Sequence, residues 1–169
     1  VIELIRRERK PQRQDGEEIV RTSIKEKIRT LGTEIRVVLP GAQALLGFQF
    51  AAFLSDAFER LPAASKVVHF ASVTMMAIAI VLLMAPAAFH RIAARGDDTK
   101  EVDLFGTYAM LGAMFFIGLS MGGDFYVVLM VVTGAQAIAI ICPLAALCAT
   151  FALWFGLPLA ARGRERSIA

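Results

Sequence analysis

The chain alternates long apolar runs with short polar breaks. The longest run, residues 104–161, contains one charged side chain, Asp124. A run of that length holds two membrane crossings, since one crossing takes about 20 apolar residues at about 1.5 Å rise each. Two shorter runs precede it, at 37–55 and 67–88. Asp56, Glu59, Arg60 and Pro62 close the first, and Arg91, Arg95, Asp97, Asp98 and Lys100 follow the second. The pattern predicts an all-α fold, an integral membrane four-transmembrane-helix bundle with spans at about 37–55, 67–88, 104–131 and 137–159.

The segment ahead of the first span reads in two parts. Residues 1–21 are dense in charge of both signs and carry Pro11 and Gly16, which predicts a solvated, mobile cytoplasmic arm. No apolar core follows the early basic residues, so they do not read as a signal peptide. Residue 1 is valine, which reads as a trimmed chain or a GTG start. Ser23-Ile24-Lys25-Glu26 has capping-box spacing and predicts a helix start. Ile24, Ile28, Leu31 and Ile35 recur on one helical face beside Lys25, Lys27 and Arg29, so residues 22–36 read as a short amphipathic interfacial helix on anionic headgroups. Pro40 then falls in the first turn of the first span, where a missing N–H matters least. Within the long run the turn falls at Gly122-Gly123-Asp124 or at Thr133-Gly134. Residues 104–123 already make a complete crossing of about 30 Å, which puts Asp124 at a membrane boundary near Asp56, and the apolar run to Val132 extends that helix or tilts it.

Composition agrees with this layout. The chain of 169 residues is 57% hydrophobic with a mean hydropathy of +0.61, above the range of soluble domains. The net charge of +3 is too small and too confined to span flanks to suggest nucleic acid. Four crossings put residues 1–36, the loop 90–103 and the basic tail 162–169 on one side, with sixteen Lys and Arg, against Arg60 and Lys66 on the other. The positive-inside bias then places both termini in the cytoplasm.

Candidate chemistry is sparse. His69 and His90, the only histidines, are twenty-one residues apart, about 31 Å along a helix. They are expected at opposite interfaces, which excludes an internal bis-histidine haem. No cofactor is predicted, and a lone pigment or lipid contact is the most that the histidines allow. Cys142 and Cys148 are six apart on different helical faces and read as packing residues. No nucleophile elbow, P-loop or His/Cys/Asp cluster points to an enzyme. Arg36, His90, Arg91, Arg162 and Trp154 read as headgroup or topology anchors at the cytoplasmic face. Gly118 and Gly122 form a GxxxG, and Gln43 and Gln49 are each expected to hydrogen-bond to a neighbouring helix. Asp124 and Asp56 are the candidates for an ion-linked role. Both are placed near the outer boundary, and no ionisable side chain is expected at the hydrocarbon centre, which counts against a self-sufficient antiporter.

Glu34-Ile35-Arg36-Val37, Gly41-Ala42-Gln43, Phe58-Glu59-Arg60 and the run from Ala85-Pro86 to His90-Arg91 resemble a bacterial family of small, uncharacterised four-helix membrane proteins, a domain of unknown function. The resemblance covers residues 34 to the C-terminus, with Pro40 departing from its pattern. It implies four spans and a bacterial inner (cytoplasmic) membrane. Some members have been called sodium:proton antiporters, with no residue-level basis to carry over. The expected function is a non-catalytic structural or accessory subunit of a homo-oligomer or a larger respiratory, photosynthetic or transport complex. The alternative is a small ion or proton transporter or channel acting as an oligomer. Expected partners are membrane lipids, with anionic headgroups at the cytoplasmic face, and other membrane subunits or further copies of the chain.

Overall fold

The protein is described by a computed structural model covering residues 2–168, with side chains described at 20 and 22–164. Among the described residues there is no strand. The helices are α1 (Ile2–Phe53), a single turn α2 (Asp56–Glu59), α3 (Ala63–Ile92), α4 (Lys100–Thr133), α5 (Gln136–Phe151) and α6 (Leu157–Ile168), with α5 and α6 joined through a π-helical turn at Ala152–Gly156. Four stretches are long and apolar enough to cross a membrane: Thr22–Phe53, Ala63–Ile92, Lys100–Thr133 and Gln136–Arg164.

Two expectations change. The interfacial helix and the first span are one helix, because nothing breaks the helical period between them. Ser23 lies inside α1 and caps nothing, and Pro40 is mid-helix, where its ring leaves the Arg36 carbonyl without an intrahelical N–H. The side chains of residues 1–19 lie outside the described residues, and with them the reading of 1–21 as a solvated, mobile arm. The second change concerns Asp124, because the turn between the last two spans is the Thr133-Gly134 candidate, in the gap between the spans at 104–131 and 137–159. It falls at Gly134, which adopts φ +63° and donates its N–H to the Met130 carbonyl, a left-handed cap that favours glycine. Asp124 is therefore inside α4, and α4 is about 51 Å long, more than one hydrocarbon thickness.

The core follows two stripes with alternating steps of three and four. On α3 the buried positions are Ser65, His69, Ser72, Met76, Ala79, Leu83 and Pro86, with Val73 beside them. On α4 they include Val102, Gly106, Ala109, Ala113, Ile117, Ser120 and Val127. That spacing is the seam of a helix pair, and the small residues of α4 allow close approach. A Cβ on Gly106 would meet the Leu31 side chain of α1, one on Gly123 would meet the Ser72 hydroxyl, and those on Gly118 and Gly122 would lie 3.3 and 3.2 Å from Phe151 and Leu147 of α5. The GxxxG pair of the sequence thus seats the fourth span on the third. The middle of the bundle is apolar, built on Ala42, Met76, Ala79, Leu83, Ala113 and Ile117. Large apolar side chains on all four spans, such as Phe48, Val81, Phe115 and Leu144, point outward, as surfaces facing lipid or a partner helix do.

Candidate functional site: two polar ends around a dry middle

Polar side chains gather at the two ends of the bundle. The far end carries the α1–α3 connection, and the near end carries the α3–α4 loop. At the far end α1, α3 and α4 each contribute. Gln49 is 4% exposed and lies one turn before α1 ends; His69 is 3% exposed on α3; Ser120, fully buried, and Asp124 are one turn apart on α4. The Gln49 Nε2 amide donates to Ser120 Oγ at 2.8 Å and to Asp124 Oδ2 at 2.5 Å, and Ser120 Oγ in turn donates to the main-chain carbonyl of Ser72 at 2.8 Å. His69 packs edge-on against Phe53, with ring centroids 4.8 Å apart, and is tilted against Phe58 at 5.4 Å. Ser65 and the Tyr126 hydroxyl, 3.2 Å apart, add a second α3–α4 link.

The imidazole's protonation follows from its neighbours. His69 Nε2 lies 3.0 Å from the main-chain oxygen of Gln49. A carbonyl only accepts, so Nε2 carries hydrogen. Nδ1 then faces Asp124 Oδ1 at 3.4 Å. If both atoms lacked hydrogen, two lone pairs would oppose each other in a low-dielectric site. A proton on either atom would convert this contact into a hydrogen bond. Gln49 Oε1, His69 Nδ1 and Asp124 Oδ1 are covered atoms with no hydrogen-bond partner, so the cluster retains capacity for one more polar group. Asp124 is a quarter exposed and is the cluster's contact with its surroundings.

The near end is organised around a cavity of about 410 Å³ between α1, α3 and α4. Arg29, Gly32 and Arg36 line it from α1, Pro86 and His90 from α3, and Asp98 from the loop. His90 Nε2 faces Asp98 Oδ1 at 3.4 Å but makes no hydrogen bond. Phe89 and Phe105 stack beside this end with centroids 4.6 Å apart, and Thr99 caps α4 by accepting from the Val102 N–H at 3.4 Å.

Several sequence-predicted residues are placed differently from expectation. His69 was expected as an interfacial side chain, but it is enclosed by three helices because its α3 stripe faces α1 and α4. Asp124 does not mark a turn, and Gln49 and His69 take up its carboxylate. Asp56, the other ion-linked candidate, is exposed in the first turn of α2, outside the cluster. Gln49 makes its expected interhelix bonds. Gln43 does not, since it is exposed on α1 and makes no hydrogen bond. Arg36 and His90 are brought together at the cavity, whereas Arg91 and Arg162 are exposed outside it. Trp154, read as an anchor, lies in the π-helical turn and packs half-buried against the apolar core. Both cysteines are free and exposed. Ser72 was not singled out as part of a site; its signal was the stripe 65, 69, 72, 76 on α3, whose counterpart on α4 is 113, 117, 120, 124, 127.

Residues 18–158 match a family of unknown function, DUF6328, and with most of its length matched the chain belongs to that family. No curated protein and no solved structure matches the chain.

Proposed function

We propose that this member of the DUF6328 family is a non-catalytic, multi-pass membrane protein that works as a structural or accessory subunit, in a homo-oligomer or on a larger membrane complex. The observation that carries the reading is the apolar middle of the bundle. Between Ser72 and Pro86 every buried side chain on α3 is apolar, about 21 Å of helix, and Ala113, Ile117 and Ala42 face it from α4 and α1. A single chain with this core offers ions no polar path from end to end, while its outward apolar faces offer helix-packing surface. The location proposed is the bacterial inner membrane with both termini cytoplasmic, supported by the sixteen-to-two division of Lys and Arg. The test is the mass of the protein–detergent complex purified at native expression. Co-purifying subunits or a defined oligomer are expected, and recovery only as a lone monomer overturns the reading.

A second reading, a proton-linked transporter acting as an oligomer, is favoured by the His69–Asp124 pair. Ionisable groups enclosed among spans are expensive and commonly functional, and the quarter-exposed Asp124 carboxyl puts this pair in partial contact with the far side. Its test is proton flux in proteoliposomes under an imposed pH gradient. Flux that depends on the chain and is lost in Asp124→Asn supports it, and flux unchanged by that substitution removes the acid from the mechanism.

A further inference from the structure

The near-end cavity has the chemistry of an amphiphile site. Arg29 and Arg36 are seven residues apart on α1, two helical turns, so they project from one face about 10 Å apart along the axis. Gly32 lies between them, and a Cβ there would meet nothing within 4 Å. The floor of the cleft between the two guanidiniums is therefore open space. Across it, His90 Nε2 is covered and has no hydrogen-bond partner. The rest of the lining is chiefly apolar, with Ile28, Leu31, Ile35, Leu83 and Val102. Asp98 is the one carboxylate in the lining and faces the imidazole, so the two arginines keep the entrance cationic.

We propose that this cavity binds one anionic phospholipid, with its phosphodiester between Arg29 and Arg36 over Gly32, within reach of His90, and its apolar portion against Leu83 and Val102. Three features select a lipid as the occupant. Guanidiniums match phosphate oxygens as paired donors. The cavity's apolar lining suits glycerol and acyl carbons, where a free anion would find no partners. Its position is also apt, since the α3 apolar run ends at His90-Arg91 and α4 begins at Lys100, the level at which basic residues meet headgroups. The volume lies within the range of small-molecule sites. This site is separate from the His69–Asp124 cluster and does not depend on whether the chain serves as a subunit or moves protons.

The test uses the full chain, delipidated in neutral detergent, with native mass spectrometry and thermal unfolding as readouts. Phosphatidylglycerol, phosphatidylcholine and inorganic phosphate are the probes. One phosphatidylglycerol per chain is expected to bind and raise the unfolding temperature, with phosphatidylcholine bound at least about tenfold more weakly. Arg36→Ala is expected to weaken phosphatidylglycerol binding by about tenfold or more, as loss of a charge-assisted hydrogen bond does. Arg91→Ala, at the same level but outside the cavity, is expected to leave binding unchanged. Gly32→Leu fills the cleft and is expected to remove binding while the lipid-free unfolding temperature holds, which separates occlusion from misfolding. Equal binding of the two lipids, an equal loss in Arg91→Ala, or retained binding in Gly32→Leu would each overturn the site. Displacement of the lipid by millimolar inorganic phosphate would overturn the lipid assignment in favour of a free anion.

Discussion

The contacts of Asp124 with Gln49 and His69 at the far end make Asp124→Asn and Asp124→Leu behave very differently, although both remove the same carboxyl. In Asp124→Asn the amide is nearly isosteric. Its oxygen can accept the Gln49 Nε2 hydrogen in place of Oδ2, and its nitrogen can donate to His69 Nδ1 across the 3.4 Å gap. The imidazole keeps its Nε2 hydrogen on the Gln49 carbonyl, and every group has a partner with no titratable proton required. The expected change in stability is within about 1 kcal/mol. Asp124→Leu removes the acceptor from Gln49, an interhelix bond of about 0.6–1.7 kcal/mol in a membrane. It also leaves one Gln49 amide hydrogen facing carbon, at about 1–3 kcal/mol for such an orphaned group. A loss of about 2–4 kcal/mol follows. The assay is equilibrium unfolding in bilayer-like mixed micelles, paired with ¹⁵N NMR of the histidines, in which Asp124→Asn should show His69 as the Nε2–H tautomer. If the two variants unfold within about 0.5 kcal/mol of each other, or His69 in the asparagine variant carries hydrogen on Nδ1, the cluster does not hold the spans as argued.

The other outcomes concern packing. Gln49→Leu is expected to destabilise by about 1–3 kcal/mol, while Gln43→Leu, on the exposed face of α1, should be neutral or stabilising in the same unfolding assay. Gly118→Ile and Gly122→Ile each drive a branched side chain into Phe151 or Leu147. Each should cost about 1–3 kcal/mol as overpacking and raise cysteine labelling or proteolysis of the fourth span. Gly134→Ala should cost about 1–2 kcal/mol because an L-residue there must hold φ +63°, with Gly134→Asn less affected.

The spans were legible because apolar runs and charged breaks are one-dimensional signals, and the structure has four helical stretches long and apolar enough to cross a membrane. The misplacing of Asp124 at a membrane boundary has a physical source. A lone charge in an apolar run looks like a point that must reach water, whereas Asp124 finds its partners in Gln49 and His69, seventy-five and fifty-five residues earlier in the chain. Nothing local to Asp124 records those partners. The continuity of α1 was hidden differently, by a capping-box sequence that a helix interior tolerates at exposed positions. The facing of the two glutamines was recoverable. The stripe Ile24, Ile28, Leu31, Ile35 continues through Val38 and Ala42 to Gln49, so the amphipathic face of the interfacial segment, extended into the span, turns Gln49 inward and Gln43 outward.

The same continuity links the two polar ends. His69 and His90 are three heptads apart on α3 and so share the face that also carries the apolar core between them. Each sits 3.4 Å from a carboxylate on the α4 side, Asp124 at one end and Asp98 at the other. No polar chain joins them, so protonation at the far end can reach the near end only through movement of α3 as a body against α4. That separates the two functional readings on mechanical grounds. A structural subunit requires α3 and α4 to stay fixed, and proton-linked transport requires them to shift. A disulfide placed across the α3–α4 seam, formed without change in oligomer mass, would leave the first function intact and abolish the second.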